Sequence, residues 1–258
     1  MKIGITERGD ASLNYTWVDK LNSIDGAVLI TKNVTDKFIE TVLPFKDKVI
    51  LHATVTGYGS TKLEPNVMSV MQSMKQLSKL VKAGFPVERI VLRVDPIIPT
   101  EKGIRIARDV IETGYRQGIH RVRISVIDMY PHVRQRFEEA GIPLPYGENF
   151  SASDEQFKAV DNMLMFLIIN HFNPTLNIES CAEPKLQVPT PVGCIDLKDW
   201  VDLPPEAIST IFGAQFGAKS RQRTNCMCSS CKTELLNNRT RCPNGCLYCR
   251  WNLSQDCN

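Results

Sequence analysis

Arg89-Ile90-Val91-Leu92-Arg93-Val94-Asp95, followed by residues 101–117, is the stretch whose reading decides the fold. The first part is a short β-rich apolar run that ends in charge. The second places Ile104, Ala107, Ile111 and Tyr115 on one helical face. A strand feeding an amphipathic helix is one βα unit, and the pattern repeats outward from it. Further strands are predicted over 2–6, 27–31, 48–55, 121–127 and 176–181. Over Pro65–Gly84, Met68, Met71, Met74, Leu77 and Val81 recur at helical spacing, and Gly84 supplies the stop; this Met stripe reads as core. Ser153 and Gln156 form a capping-box pattern, continued by Phe157, Val160, Met163, Leu164 and Leu167. Strand and helix alternating at this rhythm mean parallel strands with crossover helices. The expected fold is therefore α/β: a partial (β/α)6 TIM-like barrel over 1–183. A full eight-unit barrel needs more chain. Residues 184–224 read as a Pro-rich connection with one helix, Pro204–Phe212. Residues 225–258 read as an irregular cysteine-rich segment held by metal instead of by a core.

The 258 residues suffice for one large domain or two small ones, and the 43% hydrophobic content is ordinary for a globular chain. No apolar run spans a bilayer, and Met1-Lys2-Ile3-Gly4-Ile5-Thr6-Glu7 is no signal peptide, so a cytoplasmic protein without membrane contact is expected. Nine cysteines in such a chain point to metal or redox chemistry over disulfides. Lys219, Arg221, Arg223, Lys232, Arg239, Arg241 and Arg250 face only Glu234 between residues 219 and 251, a net +6 in a chain of net +3. These cations offset an anionic thiolate cluster and its ligand. A surface for nucleic-acid phosphate is the sharper alternative, although base-stacking aromatics are sparse in that stretch.

The predicted strands share polar C-terminal ends: Thr31-Lys32-Asn33, Thr54-Val55-Thr56, Arg93-Val94-Asp95, Ser125 to Asp128, and Glu179-Ser180-Cys181-Ala182-Glu183. In a parallel sheet or barrel these ends converge on the face where ligands bind. Any one of them alone is more simply a loop-starting hydrogen bonder. Arg93 and Asp95 stand two apart on a strand, so they point to one side and can pair or grip a zwitterion. The candidate cofactor-binding residues are Lys32, Thr54, Thr56, Arg93, Asp95, Ser125 and Asp128. His52, on a strand, reads as a satisfied core residue.

Cys242-Pro243-Asn244-Gly245-Cys246-Leu247-Tyr248-Cys249 is a C-x3-C-x2-C triplet. Three thiolates at this spacing can hold three corners of a 4Fe-4S cube and leave the fourth iron open to a small molecule. Pro243, Asn244 and Gly245 let the loop curl tightly. Its spacing, with an aromatic residue before the last cysteine, resembles the cluster loop of radical S-adenosylmethionine (SAM) enzymes, which usually carry it after the first barrel strand. Here it lies near the other end of the sequence. Tyr248 packs against the cluster or fills core.

Arg8-Gly9-Asp10, Thr31-Lys32-Asn33, Thr54 to Gly59, Leu63-Glu64-Pro65-Asn66, Arg93 to Ile97, Ser180 to Glu183, Gly193-Cys194-Ile195-Asp196, Cys226-Met227-Cys228 and the triplet occur in this order. Together they resemble an uncharacterised bacterial and phage family, a domain of unknown function noted for a radical-SAM-like cysteine cluster at its C-terminus. Arg93 to Ile97 also resembles the corresponding strand of spore photoproduct lyases. Two departures stand out: Arg8-Gly9-Asp10-Ala11 lacks a double arginine, and Cys231-Lys232-Thr233-Glu234 replaces an Asp-Ile-Gly-type segment. The resemblance implies a radical SAM-type barrel. Cys242, Cys246 and Cys249 would hold the 4Fe-4S cluster, SAM would chelate its open iron, and a reductase such as flavodoxin would supply the electron. One-electron cleavage of SAM would then give methionine and a radical that takes hydrogen from a substrate, here a nucleoside, a DNA base, or a peptide or small metabolite. Within the same resemblance, Cys181, Cys194, Cys226 and Cys228 form a second set able to close an auxiliary iron–sulfur cluster or a zinc site. Alternatively Cys181 is simply a small buried residue. Cys231 and Cys257 are left over.

Two other classes compete. One is a zinc-binding nucleic-acid module without catalysis, in which the cysteines pair off around zinc and the basic tail grips phosphate. Paired C-x2-C knuckles are the common zinc pattern, however, and the triplet is not one. The other is an iron–sulfur electron carrier, for which a barrel-sized fold is excessive.

Overall fold

Residues 3–170, 176–196, 199, 232–236, 242–250 and 252 are described by the structure, a computed structural model. Strands β1 (Ile3–Ile5), β2 (Gly26–Thr31), β3 (Val49–Thr54), β4 (Ile90–Ile97), β5 (Arg121–Val126) and β6 (Asn177–Ser180) fall where the alternation predicts them. Between them run helices α1 (Trp17–Leu21), α2 (Asp36–Val42), α3 (Val70–Lys82), α4 (Glu101–Arg116), α5 (Pro131–Glu139) and α6 (Asp154–Asn170). Two short strands were not foreseen: β7 (Thr190–Pro191) and β8 (Lys232–Glu234). The expected six-stranded partial barrel is thus corrected to an eight-stranded sheet in the order β7-β6-β5-β4-β3-β2-β1-β8, parallel throughout. Among the described residues β7 and β8 do not pair, so the sheet is open. The helix expected over Pro204–Phe212 lies outside the described residues.

The two extra strands escape periodicity because they are two and three residues long. Pro191 lacks an N–H, which an edge strand tolerates. Lys232-Thr233-Glu234 is polar, yet it is held at the β1 edge: the Lys232 ammonium lies 2.6 Å from the Glu7 carboxylate, and the Glu234 carboxylate accepts the Glu7 N–H at 3.1 Å. The segment expected to be irregular therefore contributes a strand.

Side chains alternate between the faces. Leu29, Leu51, Ile90, Leu92, Val122 and Ile124 lie on the helix side in the main core. Each such buried aliphatic side chain contributes roughly 1.5–3 kcal/mol relative to exposure. Ile3, Ile5, Val28, Ile50 and Val91 face the other way and form a second cluster with Ile195 from beyond β7. Burial on both faces explains why β3, Val49–Thr54, is buried at every position. The capping box at Ser153 and Gln156 forms, and Phe157, Val160, Met163, Leu164 and Leu167 are buried as predicted. The Met stripe holds only in part: Ser69 caps α3, residues 65–69 precede it, Met74 and Leu77 are buried with Ser73 and Leu80, and Val81 packs against the core, but Met71 is 81% exposed. A three-residue spacing drifts by about 60° per step around a helix of 3.6 residues per turn, so Met71 falls off the buried face. Among the described residues no helix is long and apolar enough to cross a membrane.

The inner face also carries buried charge, on β5 and β6. Arg123 is 1% exposed, and its guanidinium donates to the buried Glu179 carboxylate at 2.6 and 3.2 Å. Arg121 donates to Asp199 at 2.7 Å. His52 lies on the same face, fully buried. Contrary to expectation it is not satisfied: neither ring nitrogen finds a hydrogen-bond partner among the described residues. Burial, then Arg123, Arg93 and Arg121, hold its pKa well below the ordinary imidazole value. The native state thus keeps His52 neutral where the unfolded chain protonates near pH 6.5. The stability this confers is present above that pH and lost as pH falls below it, by up to about 1.4 kcal/mol per pH unit. Urea unfolding at pH 7.5 and 5.0 is expected to show this acid loss in the parent chain and a smaller one in His52→Leu.

Candidate functional site

The C-terminal ends of β1 to β5 surround a cavity of ≈ 330 Å³, within the size range of small-molecule sites. Lys32, Thr54, Arg93, Asp95, Ser125 and Asp128 line it, as the strand-end reading expects. Cys242, Cys246 and Cys249 line the same cavity, although more than a hundred residues separate them from Asp128. Thr56 is not brought there: it is buried past the end of β3, and its hydroxyl accepts the Tyr58 N–H at 3.2 Å. The turn that carries it away runs through Gly57 at φ +92°, a conformation that disfavours a side chain.

Arg93 and Asp95 pair with each other, and the Ser125 hydroxyl donates to the second Asp95 oxygen. Burial acts to lower the Arg93 pKa, but Asp95, Cys194 and Cys181 outweigh it and hold the guanidinium above its ordinary value. Lys32 behaves alike: burial opposes its charge, while Glu64 and Cys246 favour it and prevail.

The cysteine loop is strapped across the mouth of the sheet by residues from the loops after β1, β2 and β3. Asn244 donates to Asp10 at 2.8 Å and accepts from Asn33 at 2.9 Å. Asn66 donates to the Pro243 carbonyl at 2.8 Å, and the Leu247 N–H to the Leu63 carbonyl at 3.0 Å. Lys32 donates to Glu64 and to the Tyr248 hydroxyl, each at 2.8 Å, and that hydroxyl donates to Glu64. From α5, Arg136 donates to the Cys249 carbonyl at 2.7 Å. Gly245 sits at φ +67°, which gives the tight curl expected of Pro243-Asn244-Gly245. Tyr248 is therefore a latch to Lys32 and Glu64 as well as a wall of the cavity.

Burial pushes the Cys242 thiol up to about 11 and the Cys246 thiol up as well, so the bare sulfurs keep their protons. A bound metal displaces such protons outright. Cys242, Cys246 and Cys249 line one cavity with Lys32 and Arg93, so three thiols and two cationic side chains share it. Among the described residues no three His, Cys, Asp or Glu side chains converge on a single-ion site. A cube differs in giving each thiolate its own iron.

The second cysteine set is half visible. The Cys181 and Cys194 sulfurs lie 3.7 Å apart. Cys226, Cys228, Cys231 and Cys257 lie outside the described residues, as does most of the basic stretch 219–251.

Sequence reasoning missed Glu7, Asp10, Tyr130, Asn244 and Arg250, which line the cavity, and the straps from Asn33, Glu64 and Asn66. Asp10, Asn33, Glu64 and Asn66 stood within quoted motifs, but nothing local linked them to a loop some 180 to 230 residues away. A comparison with the curated proteins finds no match. A family profile described as "Domain of unknown function (DUF1848)" matches residues 12–250, nearly the whole chain, with all three cysteines of the triplet and every strap except Asp10 inside it; the chain belongs to that family.

Proposed function

We propose that this chain is a radical SAM enzyme and that its open parallel sheet is an incomplete barrel of that type. One observation carries the reading: Cys242, Cys246 and Cys249 share a cavity with the polar ends of five parallel strands. Strand order adds support. The cysteine loop follows β8, and β8 lies beside β1, so the loop emerges next to the first strands although it comes late in the chain. Cys242, Cys246 and Cys249 would hold a 4Fe-4S cluster, which when bound supplies one-electron cleavage of the SAM sulfonium. The chain's own residues bind and orient. Asp95 and Asp128 offer carboxylates to an ammonium group, and Arg93 and Arg250 offer guanidiniums to a carboxylate, the charge pattern of an amino acid. Lys32 offsets thiolate charge, and its pairing with Glu64 and Tyr248 holds the loop closed.

The substrate we infer is a nucleoside or nucleic-acid base. Tyr130 lines the cavity and is 41% exposed. Its ring stacks on His132 at 5.8 Å and meets Phe150 edge-on at 4.9 Å, so the rim has the preorganised aromatic surface on which bases stack. Arg250 lines the same cavity. Tyr130→Ala is expected to weaken binding of a mixed-sequence single-stranded oligonucleotide about 10–100-fold, from a stacking contribution of about 1–3 kcal/mol. Fluorescence anisotropy reads this directly.

The activity itself is tested by anaerobic reconstitution with iron and sulfide, then reduction with dithionite in the presence of SAM. Release of methionine and 5′-deoxyadenosine is the expected result. Absence of both from protein carrying a full iron complement would refute the reading.

A further inference from the structure

Cys181 follows β6 and Cys194 follows β7, on the half of the sheet away from the cysteine triplet. Backbone contacts fix both loops. The Cys181 N–H donates to the Ile124 carbonyl at 3.3 Å, the Val192 N–H to the Ser180 carbonyl at 2.9 Å, and Arg123 to the Cys194 carbonyl at 3.2 Å. Ala182 stands at φ +59°, unusual for a residue with a side chain, so the chain turns sharply just after Cys181.

The 3.7 Å between the sulfurs is a contact two thiols make by themselves, and it is also a spacing at which they can share one ion. Two thiolates on one tetrahedral ion, each about 2.3 Å from it, lie about 3.8 Å apart. Thiolates on separate irons of a cube stand wider, and a disulfide closes to about 2.0 Å. We propose that Cys181 and Cys194 ligate a single tetrahedral thiophilic ion of the zinc class, separate from the cluster assigned to the triplet. Neither cysteine lines the cavity, so the ion stands outside it. Two thiolates fill half of its shell and bring negative charge, which the always-charged guanidinium of Arg93 offsets. The role is structural. β7 is two residues long and carries a proline, so its own ladder holds it weakly, and a bridge from Cys181 to Cys194 pins it to β6.

The test uses the full chain with the triplet removed (Cys242→Ala, Cys246→Ala and Cys249→Ala together), so it stands apart from the radical SAM reading. Zinc and iron are measured together by elemental analysis after growth with added zinc. About one ion per chain is expected to remain. Adding Cys181→Ser and Cys194→Ser is expected to remove it, whereas Cys194→His, which keeps a ligand of the right kind, retains it. Cobalt(II) added to the metal-free chain should give the intense visible bands of a tetrahedral thiolate site, and these should vanish in the double serine variant. Far-UV circular dichroism checks that each variant is folded. Equal metal content with and without the pair would overturn the proposal, as would loss of metal from a folded Cys194→His variant. So would a Cys181–Cys194 disulfide in metal-free protein from anaerobic cells.

Discussion

Cys246→Ser is expected to bring SAM cleavage down to background and iron from about four per chain to below one. Cys246 is the most buried of the three sulfurs of the triplet and lies nearest the charge of Lys32 and Glu64, both of which act on its proton. A serine hydroxyl stays protonated at neutral pH and is a hard donor, so it replaces neither the charge nor the bond. Two thiolates then remain where the cube needs three. The chain should still fold, because the loop is tied down by Asn244, Pro243, Leu247 and Tyr248 and not by sulfur. Thermal unfolding of the apo protein is therefore expected to be nearly unchanged while cluster absorbance and activity disappear together. Cys181→Ser with Cys194→Ser is expected to leave the triplet's cluster in place.

The second large effect is expected at Glu64. Its side chain is 1% exposed, and it accepts hydrogen bonds from both Lys32 and Tyr248. Glu64→Leu would leave the Lys32 ammonium, itself only 15% exposed, without its anionic partner. Breaking a buried pair from one side costs about 3–5 kcal/mol, because the remaining charge is unpaired. For a chain of this size that lowers the melting temperature by about 10 °C. Lys32→Met combined with Glu64→Leu is expected to regain most of the loss, since a buried pair replaced by apolar groups is often neutral. The double variant should still load its cluster poorly, because the Tyr248 latch is gone. Thermal melts of the single and double variants, with iron content measured alongside, separate the two effects.

How much of this was legible depends on range. The βα rhythm carried β1 to β6, because strands of three to eight residues alternate with helices whose apolar periods are clear. α6 was read down to its capping box and all five of its core residues. β7 and β8 could not be read: two and three residues show no period, and their pairing depends on residues far away in sequence. Met71 misled because repeated spacings of three drift around a helix of 3.6 residues per turn, and Met71 lies past the edge of the face that Met74 and Leu77 bury. The convergence of strand ends followed from parallel topology alone, which is why Lys32, Thr54, Arg93, Asp95, Ser125 and Asp128 were found; Thr56 was named with them, but the turn through Gly57 carries it away, which strand order does not show. Asp10, Asn33, Glu64 and Asn66 carried no local sign of their task, since each acts by gripping a loop at the far end of the chain. His52 was read as a satisfied core residue because a sequence shows burial but not the arginines that gather around it.

The most direct test of the central claim is electron paramagnetic resonance of the anaerobically reconstituted, reduced protein, recorded with and without SAM. A reduced 4Fe-4S signal that changes on adding SAM, and that is lost in Cys246→Ser, is the result the account predicts. Zinc in place of iron and sulfide, or a cluster signal indifferent to SAM, would contradict it.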